Sequence, residues 1–140
     1  MTTTAWKRAT GYSDGAARGN PGPAGAGGIL VDDASGEKLL LGRYLGETTN
    51  NVAEYQALIL VLEEARKRGV DTLLMRTDSE LMVRQLGGVY KVKAAHLLPL
   101  VARAKTLLNS FDRCQLEHVR REFNQEADEM SNRAIDEKMQ

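Results

Sequence analysis

The chain has 140 residues, the length of one domain, and its 19 Lys and Arg balance 19 Asp and Glu to a formal net charge of zero. The single cysteine, Cys114, excludes an intramolecular disulfide and a cysteine-rich zinc site, and the two histidines, His96 and His118, lack the spacing of zinc ligands. The longest apolar run, 57–62, is far shorter than the roughly 20 residues of a membrane-spanning helix, and the N-terminus lacks the apolar segment of a secretory signal. We therefore expect one domain over residues 1–140, no membrane, a monomer and a cytoplasmic location.

The first part of the chain predicts three strands. Residues 8–14, 26–31 and 38–45 are alternating or apolar, and the Asp-Asp-Ala-Ser-Gly segment at 32–36 is typical of a hairpin turn. These strands are expected to form an antiparallel meander.

The remainder predicts alternating helices and strands. A helix over 51–68 is expected to end at Gly69, and a buried strand follows over 72–77. The further elements are helices over 79–86, 94–109 and 124–138 and a strand over 115–119. In the helix over 94–109, the residues expected to face inward are Leu97, Leu98, Val101, Ala104, Leu107 and Leu108. The order predicts an α/β fold, with a five-stranded mixed sheet (three antiparallel strands, then two parallel) flanked by helices.

Four carboxylates stand at ends of the predicted elements. Asp14 and Asp78 end the first and fourth strands, where open α/β sheets place chemistry. Glu54 lies in the first turn of the long helix on its apolar side, and Asp128 lies one turn into the last helix.

Each of these acids has an ordinary explanation when it is taken alone. Asp78 with Ser79 is typical of a helix N-cap, Glu54 suits a helix dipole, Asp14 suits a turn, and Asp128 an exposed helix face. Together they fit less well, because core-facing carboxylates need a countercharge and no Lys or Arg occurs at the matching element ends. Hard oxygen ligands favour Mg²⁺ or Mn²⁺.

Four segments in chain order carry a family resemblance. They are Tyr-Ser-Asp-Gly-Ala-Ala-Arg-Gly-Asn-Pro-Gly at 12–22, Thr-Asn-Asn-Val-Ala-Glu-Tyr at 49–55, Thr-Asp-Ser at 77–79 and His-Val-Arg-Arg-Glu-Phe-Asn-Gln-Glu-Ala-Asp at 118–128. In order and spacing they resemble the motifs of type 1 ribonuclease H over essentially the whole chain. The resemblance implies a ribonuclease H-like fold and an endoribonuclease that hydrolyses the RNA strand of RNA–DNA hybrids, leaving 5′-phosphate and 3′-hydroxyl ends.

The resemblance also implies a metal site. Asp14, Glu54, Asp78 and Asp128 would hold two Mg²⁺ ions, for which Mn²⁺ is an expected substitute. Asp14 would bridge both ions, Glu54 and Asp78 would complete one site, and Asp128 the other. Such a pair generates the nucleophile and stabilises the leaving oxygen.

Substrate contacts follow from the same resemblance. Arg18, Gly19 and Asn20 match a loop that meets the RNA strand in the minor groove, although Gly-Asn-Pro-Gly is also an ordinary turn sequence. The other predicted contacts are Asn50 and Asn51 to base edges and sugars, Thr49 to a DNA phosphate, Asn124 near the scissile phosphate, and Ser79.

The chain departs from the family pattern in three places. Arg121 stands where many members carry a catalytic-loop histidine, so it is expected either to aid phosphate positioning and product release or to contact substrate nonspecifically. The basic, Trp-rich protrusion is absent, which leaves Lys91 and Lys93 to grip the hybrid. We also expect no additional N-terminal hybrid-binding domain and therefore no processive cleavage.

Three rival functions compete with hybrid cleavage. One is another nuclease of the same fold, with cleavage of double-stranded RNA as a variant, and a second is a non-catalytic hybrid- or RNA-binding domain. The third is a structural domain whose acids coincide by chance.

The zero net charge does not exclude nucleic acid, because residues 84–121 carry eight basic and two acidic side chains, whereas residues 122–140 carry two basic and six acidic ones.

Overall fold

The computed structural model describes residues 5–140. Residues 1–4 lie outside the described residues, and the prediction that the N-terminus lacks a secretory signal falls partly on them. The described residues form five strands: Arg8–Ala17 (β1), Gly22–Asp32 (β2), Lys38–Thr48 (β3), Thr72–Thr77 (β4) and Arg113–His118 (β5). They also form four α-helices: Asn50–Lys67 (α1), Glu80–Leu86 (α2), Leu98–Asn109 (α3) and Gln125–Glu137 (α4). Short 3₁₀ turns occur at Ala95–Leu97 and Arg121–Phe123.

The five strands form one sheet in the order β3-β2-β1-β4-β5. The pairs β1–β2 and β2–β3 are antiparallel, whereas β1–β4 and β4–β5 are parallel, which confirms the predicted mixed sheet. Ser13 of β1 pairs with Thr77 of β4. The residues that follow, Asp14 and Asp78, therefore lie side by side where the β1–β4 pairing ends. The prediction that Asp14 ends the first strand is wrong, because β1 continues to Ala17 through its pairing with β2.

The main core lies between the sheet and α1, with α3 packed on the far side of that helix. The apolar stripe of α1 is buried as its periodicity predicts; its members include Tyr55, Leu58, Ile59, Leu62 and Ala65. The helix ends at Lys67 with Arg68 as its C-cap, and Gly69 follows with a φ of 75°, a conformation that glycine adopts without the strain of a side chain.

Helix α4 covers the opposite face of the sheet and packs mainly on β2. Close contact is possible because Gly25 and Gly27 of β2 have no side chain. A Cβ on Gly27 would overlap the backbone of Ser131 and Ala127, and a Cβ on Gly25 would overlap the Ser131 carbonyl oxygen. The glycines thus place α4 directly on the sheet.

The prediction for Leu98 is wrong. A 3₁₀ turn ends at Leu97, and α3 begins at Leu98, which is 52% exposed. The buried side follows Leu97, Val101 and Ala104 at spacings of four and three residues, and the adjacent Leu98 points about 100° away from it. No helix within residues 5–140 combines the length and apolar composition needed to cross a membrane.

Candidate active site

The four carboxylates singled out in the sequence line a single cavity of about 230 Å³. Asp14 comes from β1, Asp78 from the residue after β4, and Asp128 from the first turn of α4. Glu54 is the fifth residue of α1 and lies just past its first turn, because the helix begins one residue earlier than predicted. Arg121, Asn50 and residues 15–17 complete its lining. Four different elements therefore converge at the carboxyl end of the β1–β4 pair.

Two glycines bring the helices to this cavity. A Cβ on Gly15 would overlap the backbone of Ala53 and Glu54, so this glycine lets the first turn of α1 approach the end of β1. Gly27 does the same for α4, whose backbone at Ala127 would meet a Cβ there. The approach of both helices places Glu54 and Asp128 beside Asp14.

The electrostatics of the cavity centre on Asp14, which is 8% exposed. Burial raises the pKa of its carboxyl from 3.8 to about 9, with further contributions from the neighbouring charges and hydrogen bonds of Asp78 and Asp128. The Ser131 hydroxyl lies 3.3 Å from Asp14 Oδ2 and 2.8 Å from the Asp128 carbonyl oxygen, to which it donates. The centre of the cavity thus carries negative charge without an equal positive charge.

Burial also raises the pKa of Glu54, although hydrogen bonds from Ser79 and Asn50 oppose the shift. The Asn50 amide donates to Glu54 Oε1 over 3.3 Å. Within residues 5–140, no group of three or more Asp, Glu, His or Cys side chains is placed so that it could hold a metal ion as it stands. The carboxylates share a cavity, and an ion would have to draw them closer together.

Arg121 lies at the rim of the cavity. Its Nε is 3.8 Å from Asp78 Oδ2, and its side chain is 88% exposed. The guanidinium is therefore close to the carboxylates and still free to meet a solvent-borne anion.

Several predicted substrate residues hold the ends of helices around the cavity. Thr49 caps α1 by accepting a bond from Val52 N at 3.3 Å, and Ser79 caps α2 by accepting one from Met82 N at 3.2 Å. Asn20 Oδ1 accepts a hydrogen bond from Asn50 N at 3.1 Å. The β1–β2 loop is thereby joined to the start of α1.

Two predicted substrate residues, Asn51 and Asn124, lie outside the lining of the cavity. Asn51 is exposed and lines a neighbouring groove of about 510 Å³ together with Tyr90, Lys91 and Lys93. Asn124 is only 1% exposed, and its amide donates to the Ser13 carbonyl oxygen over 2.9 Å, so its side chain faces the interior.

Arg18 and Gly19 lie outside the lining of the cavity. Gly19 has a φ of 111° in the exposed β1–β2 loop. Arg18 forms an ion pair with Asp136 of α4 over 2.6 Å, and its second nitrogen lies 3.3 Å from Asn132 Oδ1. Three residues of α4 near the site were not predicted as functional: Ser131, Asn132 and Asp136. The only signal for them was their spacing of three, four and eight residues from Asp128, which places them on one side of a helix.

Comparison with known proteins places the chain in a family. A family model described as reverse transcriptase-like matches residues 12–134. Ribonuclease HI of Halobacterium salinarum is 42% identical over 130 residues, which cover 93% of this chain and 65% of that protein. The bifunctional protein Rv2228c of Mycobacterium tuberculosis is 42% identical over 125 residues, covering 89% of this chain and 34% of that protein. The chain thus spans between one third and two thirds of these curated relatives.

Solved structures agree with this assignment. The crystal structure of RNase H1 from Halobacterium salinarum superposes with a TM-score of 0.88 at 42% identity, covering 93% of this chain and 98% of that one. LC11-RNase H1 in complex with an RNA/DNA hybrid matches with a TM-score of 0.84 at 43% identity, covering 93% and 98%. With its order of strands, its four converging carboxylates and these matches, the chain belongs to the type 1 ribonuclease H family.

Proposed function

We propose that this protein is an endoribonuclease that hydrolyses the RNA strand of RNA–DNA hybrids and leaves 5′-phosphate and 3′-hydroxyl ends. The observation that carries the proposal is the convergence of Asp14, Glu54, Asp78 and Asp128 on one cavity at the carboxyl end of the β1–β4 pair. Support comes from family membership and from the related LC11-RNase H1, whose structure is a complex with an RNA/DNA hybrid.

The residues of the cavity fit divalent cations. Its four carboxylates supply oxygen donors only, and burial, followed by the neighbouring charges of Asp78 and Asp128, raises the pKa of Asp14. Hard oxygen donors of this kind suit two Mg²⁺ ions, with Mn²⁺ as a substitute. When bound, such ions lower the pKa of a water molecule and offset charge on the phosphate.

The chain's own groups have defined tasks in this scheme. Asp14, Glu54, Asp78 and Asp128 would hold the ions, and Asp14 would release its proton as it becomes a ligand. Hydrogen bonds from Asn50 and Ser79 keep Glu54 turned toward the cavity. We therefore expect metal uptake near pH 7 to release protons into solution.

Arg121 is proposed to contact the phosphate at the rim. Its exposed guanidinium lies beside Asp78, so it can offer two N–H donors to a phosphate without leaving the site. The position of Arg121 beside Asp78 favours a role in phosphate positioning and product release. A residue that only contacts substrate nonspecifically would not need to lie next to a carboxylate that is proposed to bind metal.

The grip on the hybrid is proposed to come from the groove beside the active site. Asn51, Tyr90, Lys91 and Lys93 line it, and the two lysines supply positive charge for backbone phosphates. From the loop side, the exposed Asn20 and Gly19 are proposed to meet the RNA strand, with Asn50 and Thr49 next to them.

Two alternatives stay open to test: cleavage of double-stranded RNA, and a hybrid-binding domain without catalysis. The second is disfavoured by the presence of all four carboxylates around one cavity. A monomeric state, a cytoplasmic location and a single catalytic domain over residues 1–140 stay predictions.

A side-by-side assay distinguishes these functions. End-labelled RNA–DNA hybrid, duplex RNA, single-stranded RNA and duplex DNA are each incubated with the protein in Mg²⁺ or Mn²⁺. We expect cuts in the RNA strand of the hybrid, with a 5′-phosphate on the downstream product. Binding of the hybrid without cleavage in either metal would contradict the proposal and favour the binding domain.

A further inference from the structure

The β1–β2 loop is attached to α4 through Arg18. One guanidinium nitrogen of Arg18 forms the ion pair with Asp136, and the other lies 3.3 Å from Asn132 Oδ1 and 3.5 Å from the Asn132 carbonyl oxygen. These groups are more than 110 positions apart in the chain, so the contacts are a product of the fold.

The side-chain amide nitrogen of Asn132 is directed toward Asp128 of the carboxylate site. Its side-chain amide donates to the Asp128 carbonyl oxygen over 3.0 Å and lies 3.4 Å from Asp128 Oδ1. The amide therefore stands between a loop cation and a carboxylate of the active site. Asn has a low intrinsic preference for helix interiors, so its presence within α4 calls for a compensating contact, which these bonds supply.

The orientation of the amide suits a supporting role. Asn132 uses its oxygen toward Arg18 and its nitrogen toward Asp128, so both ends of the amide are engaged. The contact to Asp128 involves Oδ1 and leaves Oδ2 without a bond to Asn132. Groups that hydrogen-bond a ligand carboxylate fix its direction, and their loss typically weakens metal binding by about 10- to 100-fold.

The same loop reaches the opposite side of the cavity. Asn20 accepts a bond from the Asn50 backbone, and the Asn50 side chain bonds Glu54. The loop that follows Arg18 is thus hydrogen-bonded toward Glu54 on one side and toward Asp128 on the other.

We propose that Asn132 is a positioning residue: it transmits the placement of the β1–β2 loop, through Arg18, to the Asp128 carboxylate, and so couples the substrate loop to the metal site. This inference rests on the proposed function, because it takes Asp128 as a metal ligand. Arg18 then acts chiefly through Asn132 and Asp136 and not as a direct contact to the RNA strand.

The test measures Mn²⁺ affinity of the free protein by electron paramagnetic resonance, and hybrid cleavage as a function of Mg²⁺ concentration. Asn132→Ala is expected to weaken Mn²⁺ binding by about 10-fold and to raise the Mg²⁺ concentration for half-maximal cleavage similarly. The KM for the hybrid at saturating Mg²⁺ should change less than about twofold. Arg133→Ala, at the next residue on α4, removes a surface pair with Glu137 and a 3.7 Å contact with Met130 Sδ, neither of which involves Asp128, and is the matched control.

A double-mutant cycle separates the two roles of Arg18. If Arg18 acts through Asn132, the loss of Mn²⁺ affinity in Arg18→Ala combined with Asn132→Ala will equal that of Asn132→Ala alone. Asp136→Asn, which removes the ion-pair charge and keeps Asn132, should give a smaller loss in the same direction. It provides a second test if Asn132→Ala folds poorly.

Different results overturn different statements. Unchanged Mn²⁺ affinity in a folded Asn132→Ala, or additive losses in the cycle, would refute the positioning role. A wild-type protein that neither binds Mn²⁺ nor cleaves the hybrid would instead refute the proposed function.

Discussion

Replacing Asp14 by Asn is expected to stabilise the metal-free protein while it removes the central carboxylate of the site. Asp14 is 8% exposed, and its pKa stands at about 9 against an ordinary value of 3.8. At pH 7 the folded protein therefore holds a proton on Asp14 that the unfolded chain does not hold. The folded state takes up that proton at a free-energy cost that an uncharged amide avoids.

The size of the effect follows from linkage. Each pKa unit corresponds to about 1.4 kcal/mol, and the interval between 3.8 and pH 7 sets a ceiling of about 4 kcal/mol. The Asn amide replaces the hydroxyl of the protonated carboxyl near Ser131, and the changed hydrogen bonding offsets about 1 kcal/mol. We expect the free energy of unfolding of Asp14→Asn to exceed that of the wild type by about 2–3 kcal/mol at pH 7.

The difference in the free energy of unfolding between Asp14→Asn and the wild type should depend on pH. Below pH 3.8, Asp14 is protonated in both the folded and the unfolded wild type, so the substitution adds little stability. As the pH rises toward about 9, the wild type loses stability relative to the variant, and above that value the difference stops growing. Added Mg²⁺ should stabilise the wild type more than the variant, which reverses part of the difference.

Urea unfolding in the presence of a chelator, at pH 4, 7 and 9, measures these free energies. Asp112→Asn, at an exposed position before β5, is the matched control and should change stability by less than about 0.5 kcal/mol. A variant no more stable than the wild type at pH 7, or a gain that does not depend on pH, would refute the account of the carboxylate cluster.

Three further outcomes can be checked. Arg121→Ala should lower kcat for hybrid cleavage by about 10-fold or more and change KM less than about threefold, because the guanidinium is proposed to position the phosphate from the rim of the cavity; an equal or larger loss in binding would favour a nonspecific contact. Gly27→Val should lower the free energy of unfolding by more than about 3 kcal/mol, since its side chain would overlap the α4 backbone, and a loss below about 1 kcal/mol in a denaturant melt would contradict the close packing. Lys91→Gln combined with Lys93→Gln should weaken hybrid binding and reduce the slope of log Kd against log salt by about 1 to 2; an unchanged slope in a fluorescence titration would remove the groove from the substrate path.

Periodic features of the sequence predicted most of the fold. The alternating strands, the apolar stripe of α1 and the position of Gly69 depend on short-range geometry, which residue patterns report directly. The α3 error has the same origin, because a run of two leucines does not reveal which of them faces the core. Leu97 faces the core, whereas Leu98 is exposed to solvent.

The convergence of the carboxylates was predictable, because parallel strands bring their carboxyl ends together at one edge of a sheet. The contacts of the Arg18 and Asn124 side chains could not be predicted from the sequence. Arg18 finds its partner Asp136 across the fold, and Asn124 turns inward to the Ser13 carbonyl, and neither contact leaves a local sequence pattern.

The four cavity carboxylates are proposed to be required for cleavage of the RNA strand of a hybrid. The most direct measurement is the initial rate at which the wild type and Asp14→Asn cleave a hybrid labelled on the RNA strand, across a range of Mg²⁺ concentrations. We predict metal-dependent cleavage by the wild type and a loss of at least about 1,000-fold in the folded variant. Cleavage by Asp14→Asn at a rate near that of the wild type would contradict the assignment of the site.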